Sequence, residues 1–394
     1  MTASSEAIGV GVLLVAVIAA YALFAGADFG AGIWDLLAGG TRRGAGPRAA
    51  IDASLTPVWE GNHVWLIFGL VITWTGFPQA FAAVMTALFV PLFVSLMGIV
   101  LRGVGFAFRH EARRLRFRQL AGAVFAVSSL ITPFFLGTVI GAVVTGRVPA
   151  RPSGNLPSAW TTPTALVTGF LFTAACAYIS AIYLVGDSHR RGDPRMVTYF
   201  VRRAAAAGVV TGVLAGVNML LMRDSATYVS DRLTGDALPL VALSVAAGAA
   251  ALVLVLFLPT RIALLRVTAA IAVAAVVGGW GWAQYPYLLP TSLTLAAGSA
   301  PTAAAQAEFA VAALAALLVV PSFGYLYWLQ QHGRLQEGSS ASLRAAASPG
   351  DLAVPAAEPP APRKGGFLTG LMLTAAIVDL VRDALARRRG RRPS

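Results

Sequence analysis

The chain is 394 residues long, 57% hydrophobic and only 12% charged, with a mean hydropathy of +0.73. Those values exclude an ordinary soluble domain, which must cover its core with polar surface, and they predict an all-α polytopic membrane protein. The net charge of +13 does not make the chain a nucleic-acid binder, because the arginines are scattered in short segments between apolar runs instead of gathered on one surface.

The first apolar run, Ile8 to Phe24, is long enough to cross roughly 30 Å of hydrocarbon at about 1.5 Å per residue. No Lys or Arg precedes it, whereas a signal peptide needs a positive n-region, so a retained helix is expected over 8–36. Asp28 lies late in that helix, and Gly26, Gly30 and Gly32 recur at spacings that let membrane helices approach closely. Further helices are expected over 56–75, 78–101, 119–144, 163–186, 203–222, 238–258, 263–283 and 305–329, with Pro78 marking the tightest connection. About nine transmembrane helices result. The lone Cys176 falls inside an apolar run, where it serves as an inert small core residue.

Arginine sets the topology. Loops after odd-numbered helices hold Arg42, Arg43 and Arg48, then Arg102, Arg109, Arg113, Arg114, Arg116 and Arg118, then Arg190, Arg191, Arg195, Arg202 and Arg203, then Arg261 and Arg266. Loops after even-numbered helices hold only Arg147, Arg151, Arg223 and Arg232. By the positive-inside bias the N-terminus is expected outside and the C-terminus in the cytoplasm. Residues 1–330 therefore form a transmembrane helical domain. Residues 331–366, rich in Ala, Ser, Pro and Gly, are expected to be a flexible linker. In 367–394, Phe367, Leu371, Val378, Val381 and Leu385 recur at helical spacing before a run of arginines, which predicts an amphipathic, basic cytoplasmic tail lying on the anionic leaflet. A disordered basic tail is the alternative.

Carboxylates at membrane depth are costly and need a reason. Most of the seventeen acidic residues are placed in loops or the tail, leaving Asp28, Glu60 and Glu308. The densest cluster is Pro57-Val58-Trp59-Glu60-Gly61-Asn62-His63-Val64-Trp65. Glu60 and His63 are three apart and share a face of the expected helix, a pairing suited to proton handling; a snorkelling interfacial carboxylate is the bland alternative. Trp59 and Trp65 could equally belong to an interfacial aromatic belt. A di-iron bundle would need a second Glu-x-x-His, and the sequence has none. A transmembrane haem needs two axial ligands at similar depth. Of the four histidines only His63 is placed there, since His110, His189 and His332 sit in or beside loops. No haem or metal is expected to be held by this chain alone, although it could border a cofactor held by a partner.

Ala27-Asp28-Phe29-Gly30-Ala31-Gly32, then the stretch from Pro57 to Ile67, then Arg102-Gly103-Val104-Gly105-Phe106, and later Gln284-Tyr285-Pro286 together resemble subunit II of cytochrome bd-type quinol oxidases, across residues 1 to about 330. The resemblance implies a multi-pass subunit of the bacterial cytoplasmic membrane, packed against a haem-bearing subunit I that holds haems b and d and the quinol-oxidation loop. The complex would oxidise quinol at the outer face and reduce oxygen to water with protons drawn from the cytoplasm, building a proton gradient. It leaves open a structural quinone and small accessory subunits, surrounds the chain with membrane lipids and gives no role to nucleic acid. By position, Glu60 matches an acidic proton-relay element, where the family often has Asp, and Asp28 and Arg102 match charged positions near the inter-helix core. His63 joins them as a proton-path candidate, and Trp65 matches a tryptophan associated with an oxygen channel. Two alternatives remain: a proton-coupled secondary transporter, which would purify without a haem-bearing partner, and a scaffold with no path through it.

Overall fold

The structure is a computed structural model that describes residues 5–40, 42–55, 59–111 and 115–331; the side chain of Glu60 is outside the description. Pro57 and Val58 of the central motif, the linker expected over 331–366 apart from Gln331, and the tail expected over 367–394 also lie outside it.

The described chain is helical almost throughout. In order come α1 (Ser5–Leu36), α2 (Ala45–Leu55), α3 (Trp59–Asn62), α4 (Val64–Gly76), α5 (Pro78–Ala87), α6 (Phe89–Glu111), α7 (Leu115–Val144) and α8 (Pro157–Trp160). There follow α9 (Pro163–Arg190), α10 (Pro194–Ser225), α11 (Thr227–Thr234), α12 (Leu238–Phe257) and α13 (Ile262–Gln284). A two-residue-long antiparallel pairing of β1 (Tyr287–Leu289) with β2 (Leu293–Thr294), then α14 (Leu295–Gly298) and α15 (Thr302–Gln331), complete the described part. Eight of these helices are long and apolar enough to cross a membrane, and the bent pair α4–α5 raises the number to nine.

Local chemistry explains the boundaries. Thr162 caps α9 by accepting the Ala165 N–H, and Asp193 caps α10 by accepting those of Arg195 and Met196; a proline follows each cap at the first helical position. The cap at Asp193 starts α10 well before the expected residue 203, because a polar amphipathic turn that ends in apolar sequence is as helical as the apolar sequence itself. The expected helix over 56–75 is shorter than predicted: His63 separates α3 from α4, which begins at Val64. The expected helix over 78–101 is two elements. Phe77, at φ −136° and ψ 60°, leaves the helical region before Pro78, and α5 departs at 118° to α4. A second break at Leu88, φ −111°, starts α6 as a span of its own. The apolar run hid that break because a turn inside hydrocarbon needs no polar residues when its carbonyls and amides stay paired, as Leu88 N–H does with Val84 O.

The packing centre is α1, α7 and α9, with α6 against α7, α10 against α9 and α12 against α13. Two of the predicted glycines are the reason: a Cβ on Gly30 would run into the Cys176 carbonyl, and one on Gly32 into Ser129, whereas Gly26 has ordinary clearance from Cys176. The Trp34 indole N–H donates to the Ala177 carbonyl at 2.8 Å, fastening α1 to α9. Large apolar side chains such as Val245, Phe257 and Leu317 point outward, as expected of helices solvated by lipid or a neighbouring subunit.

Ion pairs place several helix ends on one face. Asp35, near the end of α1, accepts Arg48 of α2 at 2.9 Å and Arg109 of α6 at 2.6 Å, and Arg109 also reaches Asp52 at 3.3 Å. Asp187 of α9 accepts Arg266 of α13 at 2.6 Å and also pairs with Arg190. This corrects the sequence expectation that Asp35 belongs with the loop acids. It is 3% exposed and helical, one of the most buried charges in the described chain.

Candidate functional site

The site begins with Asp28, 7% exposed and two helical turns inside Asp35 along α1. Seven residues of α1 rise about 10 Å, enough to take the carboxylate from the Arg-rich face into the apolar interior. Its Oδ2 accepts the Asn62 side-chain N–H at 2.6 Å. Asn62, 2% exposed, ends the short α3, which packs on α1.

Arg102 of α6 lies behind this pair and is the largest fully buried side chain, at 1% exposure. Its Nη2 donates to the Asp28 backbone carbonyl at 3.0 Å and its Nε to Ser129 Oγ of α7 at 3.1 Å. The guanidinium is flanked by the Phe29 ring at 5.4 Å and the Phe125 ring at 5.1 Å, which suits a weakly hydrated cation in a dry site. Gly32 lets Ser129 come close enough to take part. The three expected elements Asp28, Arg102 and the Glu60–His63 segment are thus brought together around α1, but Asp28 pairs with the amide of Asn62, whereas the guanidinium takes its backbone.

His63 stands between α3 and α4 with helical dihedrals, φ −75° and ψ −12°. Its ring packs against Tyr21 at 6.2 Å and Phe29 at 5.9 Å between centroids, and its Nδ1 is buried with no hydrogen-bond partner among the described residues. Glu60 contributes its backbone to α3, one residue from Gly61 and two from Asn62. Trp65, on the first turn of α4, stacks on Phe24 at 6.1 Å and an interplanar angle of 14°, beside the apolar group of Tyr21, Ala25, Phe29 and Cys176. Glu308, the third expected acid, is far from this cluster: it meets Thr75 at the end of α4.

The residues here do not fit a haem. His189, the other histidine whose side chain is described, is exposed near the end of α9 on the Arg-rich face, and the His63 ring is already boxed by two aromatic rings. No group of three metal-ligating side chains occurs among the described residues.

A cavity of about 310 Å³ opens between α1, α2, α9 and α13. Asp28 and Asn62 line one part, Ser54 and Ser180 the walls, and Asp187 and Arg266 another part at the helix ends. Sequence reasoning missed Asn62 as the partner of Asp28, although it stood inside the quoted motif, and it missed Ser129 for want of any local signal. Arg266 read only as a topology signal, yet its side chain is 17% exposed, lies over the Tyr183 ring at 4.8 Å and is bonded to Asp187.

The family model of cytochrome bd terminal oxidase subunit II matches residues 7–330. The chain belongs to that family. Among curated proteins, cytochrome bd ubiquinol oxidase subunit 2 of Bacillus subtilis is 29% identical over 121 residues, 31% of this chain and 35% of that relative. Cytochrome bd-I ubiquinol oxidase subunit 2 of Escherichia coli is 27% identical over 219 residues, 53% of this chain and 54% of that relative. These alignments thus span from about a third to half of the relatives' length. A chain in the solved structure of bd oxidase from Geobacillus thermodenitrificans superposes with a TM-score of 0.64 at 21% identity, covering 82% of this chain and 98% of that one. That likeness shows the fold. In this subunit II chain the matched residues take in the whole cluster around Asp28, whereas residues 331–394 fall beyond them.

Proposed function

We propose that this chain is the haem-free subunit II of a bd-type quinol:oxygen oxidoreductase, packed against a haem-bearing subunit I, and that it carries protons from the cytoplasm toward the partner's oxygen-reducing centre. The N-terminus faces outward and the Arg-rich helix ends face the cytoplasm, following the arginine asymmetry. Quinol oxidation and oxygen reduction belong to the partner and its haems. This chain's part is to hold and pass protons through Glu60, His63 and Asp28, with Arg102 steadying the carboxylate, while the apolar surroundings of Trp65 suit a route for oxygen.

The observation that carries the proposal is a carboxylate, Asp28, buried at membrane depth on an amide partner and beside a fully buried arginine. Charge is not kept in hydrocarbon without use, and protons cross it only along titratable groups and ordered water. Both Asp28→Asn and Glu60→Ala should assemble with full haem content and turn over oxygen several times more slowly. Wild-type turnover in assembled complexes of both variants would dismiss the relay. A chain that purifies without a haem-bearing partner would dismiss the oxidase assignment in favour of a proton-coupled transporter.

A further inference from the structure

We infer that the outward face of α10 holds an anionic phospholipid, its phosphate on Arg202 and Arg203 and its acyl chains along the apolar residues that follow. The site lies apart from the Asp28 cluster and does not depend on the relay reading.

Arg195, Tyr199, Arg202, Ala206, Val209 and Val213 recur at intervals of three and four residues and so share one face of α10. That face is open: Val209 and Val213 are 52% and 60% exposed, and Arg195, Arg202 and Ala206 are exposed as well. The opposite face carries the buried Phe200, Ala204 and Ala207. The open stripe is thus cationic at the Arg-rich end and apolar beyond it, the same order as a phospholipid standing in one leaflet. Val213 is eleven residues from Arg202, about 16 Å along the helix, which matches half of a hydrocarbon core roughly 30 Å thick. Gly212 lies at that depth, and a Cβ there would meet nothing within 4 Å, so the chain ends have room beside the stripe.

Arginine at a helix end is ordinarily a topology signal, and two observations separate these residues from that. The arginines at the ends of α2, α6, α9 and α13 are neutralised by Asp35 and Asp187, whereas Arg195, Arg202 and Arg203 have no ion pair among the described residues. Asp193, the acid nearest them in the chain, is engaged at the start of α10, where its carboxylate accepts the N–H groups of Arg195 and Met196. Arg203, moreover, is held in place. Its guanidinium lies over the Tyr199 ring at 3.2 Å, and its Nη1 donates to the Tyr199 carbonyl, also at 3.2 Å. The Tyr199 hydroxyl is itself buried, which fixes the ring as a platform. A planar guanidinium ordered in this way donates to a phosphate oxygen with little further loss of side-chain entropy. A zwitterionic lipid would bring its ammonium against Arg195 and Arg202, so the face selects a phosphodiester without a cation, such as phosphatidylglycerol.

The test is photolabelling of the assembled complex. Phosphatidylglycerol with a diazirine midway along one acyl chain is titrated into phosphatidylcholine vesicles that hold the complex, and labelled peptides are read by mass spectrometry. The expected result is label on residues 206–217, displaced by plain phosphatidylglycerol and not by phosphatidylcholine or inorganic phosphate. Arg202→Gln combined with Arg203→Gln should raise the phosphatidylglycerol needed for half-maximal labelling by on the order of tenfold, since each basic side chain near the surface strengthens anionic lipid binding severalfold. Tyr199→Leu removes the platform and no charge, and should raise it severalfold. Arg261→Gln removes a like charge at the start of α13 and should leave it unchanged.

Equal labelling by a diazirine phosphatidylcholine, or a shift in Arg261→Gln as large as in the double variant, would reduce the face to general surface charge and overturn the proposal. Displacement by inorganic phosphate would make it a free-anion site, and absence of label from α10 would show the face covered by protein; either overturns the lipid as occupant. None of these readouts uses oxygen turnover, so their failure leaves the relay reading standing.

Discussion

Replacing Arg102 with leucine is the sharpest challenge to the cluster. The change deletes the hydrogen bonds to Ser129 and to the Asp28 carbonyl and the contacts with Phe29 and Phe125. It also leaves Asp28, 7% exposed, as a buried carboxylate without the guanidinium that lies beside it. Loss of one member of a buried charged pair costs about 3–5 kcal/mol, mostly from the charge left behind, whereas replacing both members is often close to neutral. Arg102→Leu alone should therefore lower the thermal midpoint of the purified complex strongly, and Asp28→Asn alone should lower it little, since Asn62 still has an amide oxygen to donate to. In the double variant the orphaned charge is gone, so a coupling of about 2–3 kcal/mol in the recovering direction is expected, within the range found for residues that share a network. The midpoint is read by size-exclusion chromatography after heating and by tryptophan fluorescence. A double variant less stable than the parent by the full sum of the two single effects would refute the electrostatic account. Arg102 would then be a packing residue between two rings.

The glycines give a graded prediction: Gly30→Ala drives a methyl into the Cys176 carbonyl and should cost about 1–3 kcal/mol as overpacking, whereas Gly26→Ala, with ordinary clearance, should be tolerated. The yield of assembled complex ranks the two, and equal yields would remove the close-contact explanation. Asp35→Asn removes the carboxylate that Arg48 and Arg109 share, at a residue 3% exposed, and leaves Arg109 with Asp52 and Arg48 with backbone carbonyls. It should destabilise by about 3–5 kcal/mol, and should also loosen α2. Limited proteolysis between residues 40 and 55 measures that loosening, and an unchanged cleavage rate would show that α2 is held by its buried Ile51 and Leu55 alone.

The spans were legible because lipid leaves few options: a stretch that must satisfy its own backbone in hydrocarbon is helical, and its length shows as an apolar run. What the run conceals is direction. The 118° turn between α4 and α5 and the break at Leu88 lie inside sequence that is apolar on both sides, and only Pro78 marks the first of them. The candidate site was legible at Asp28 because a carboxylate inside an apolar run stands out from its background, whereas Arg102 counted among the loop arginines, was singled out only by the family resemblance, and lies buried inside α6. Asn62 and Ser129, which complete the cluster, are ordinary residues at helix surfaces, and their partners are decided by which helices meet. Asp35 and Asp187 were hidden for a related reason: an acid near a helix end is exposed or buried according to whether arginines on neighbouring helices converge on it, and a single-chain pattern does not record convergence.

The same convergence explains why the polar parts lie where they do. Asp35 fastens α1 to α2 and α6, and Asp187 fastens α9 to α13, so the elements that border the cavity are tied at the Arg-rich end, where water can help solvate the charges. Two turns deeper along α1 lies the Asp28 carboxylate, with Arg102 beside it, and these two are held by Asn62, Ser129 and backbone. A cluster made only for stability would gain little by placing a carboxylate below a tied ring of ion pairs, since apolar side chains of similar volume pack as well there without desolvation. A cluster that must exchange protons gains from that depth, because the ion-paired rim keeps the helices in register while the carboxylate stays beside a cavity large enough for water.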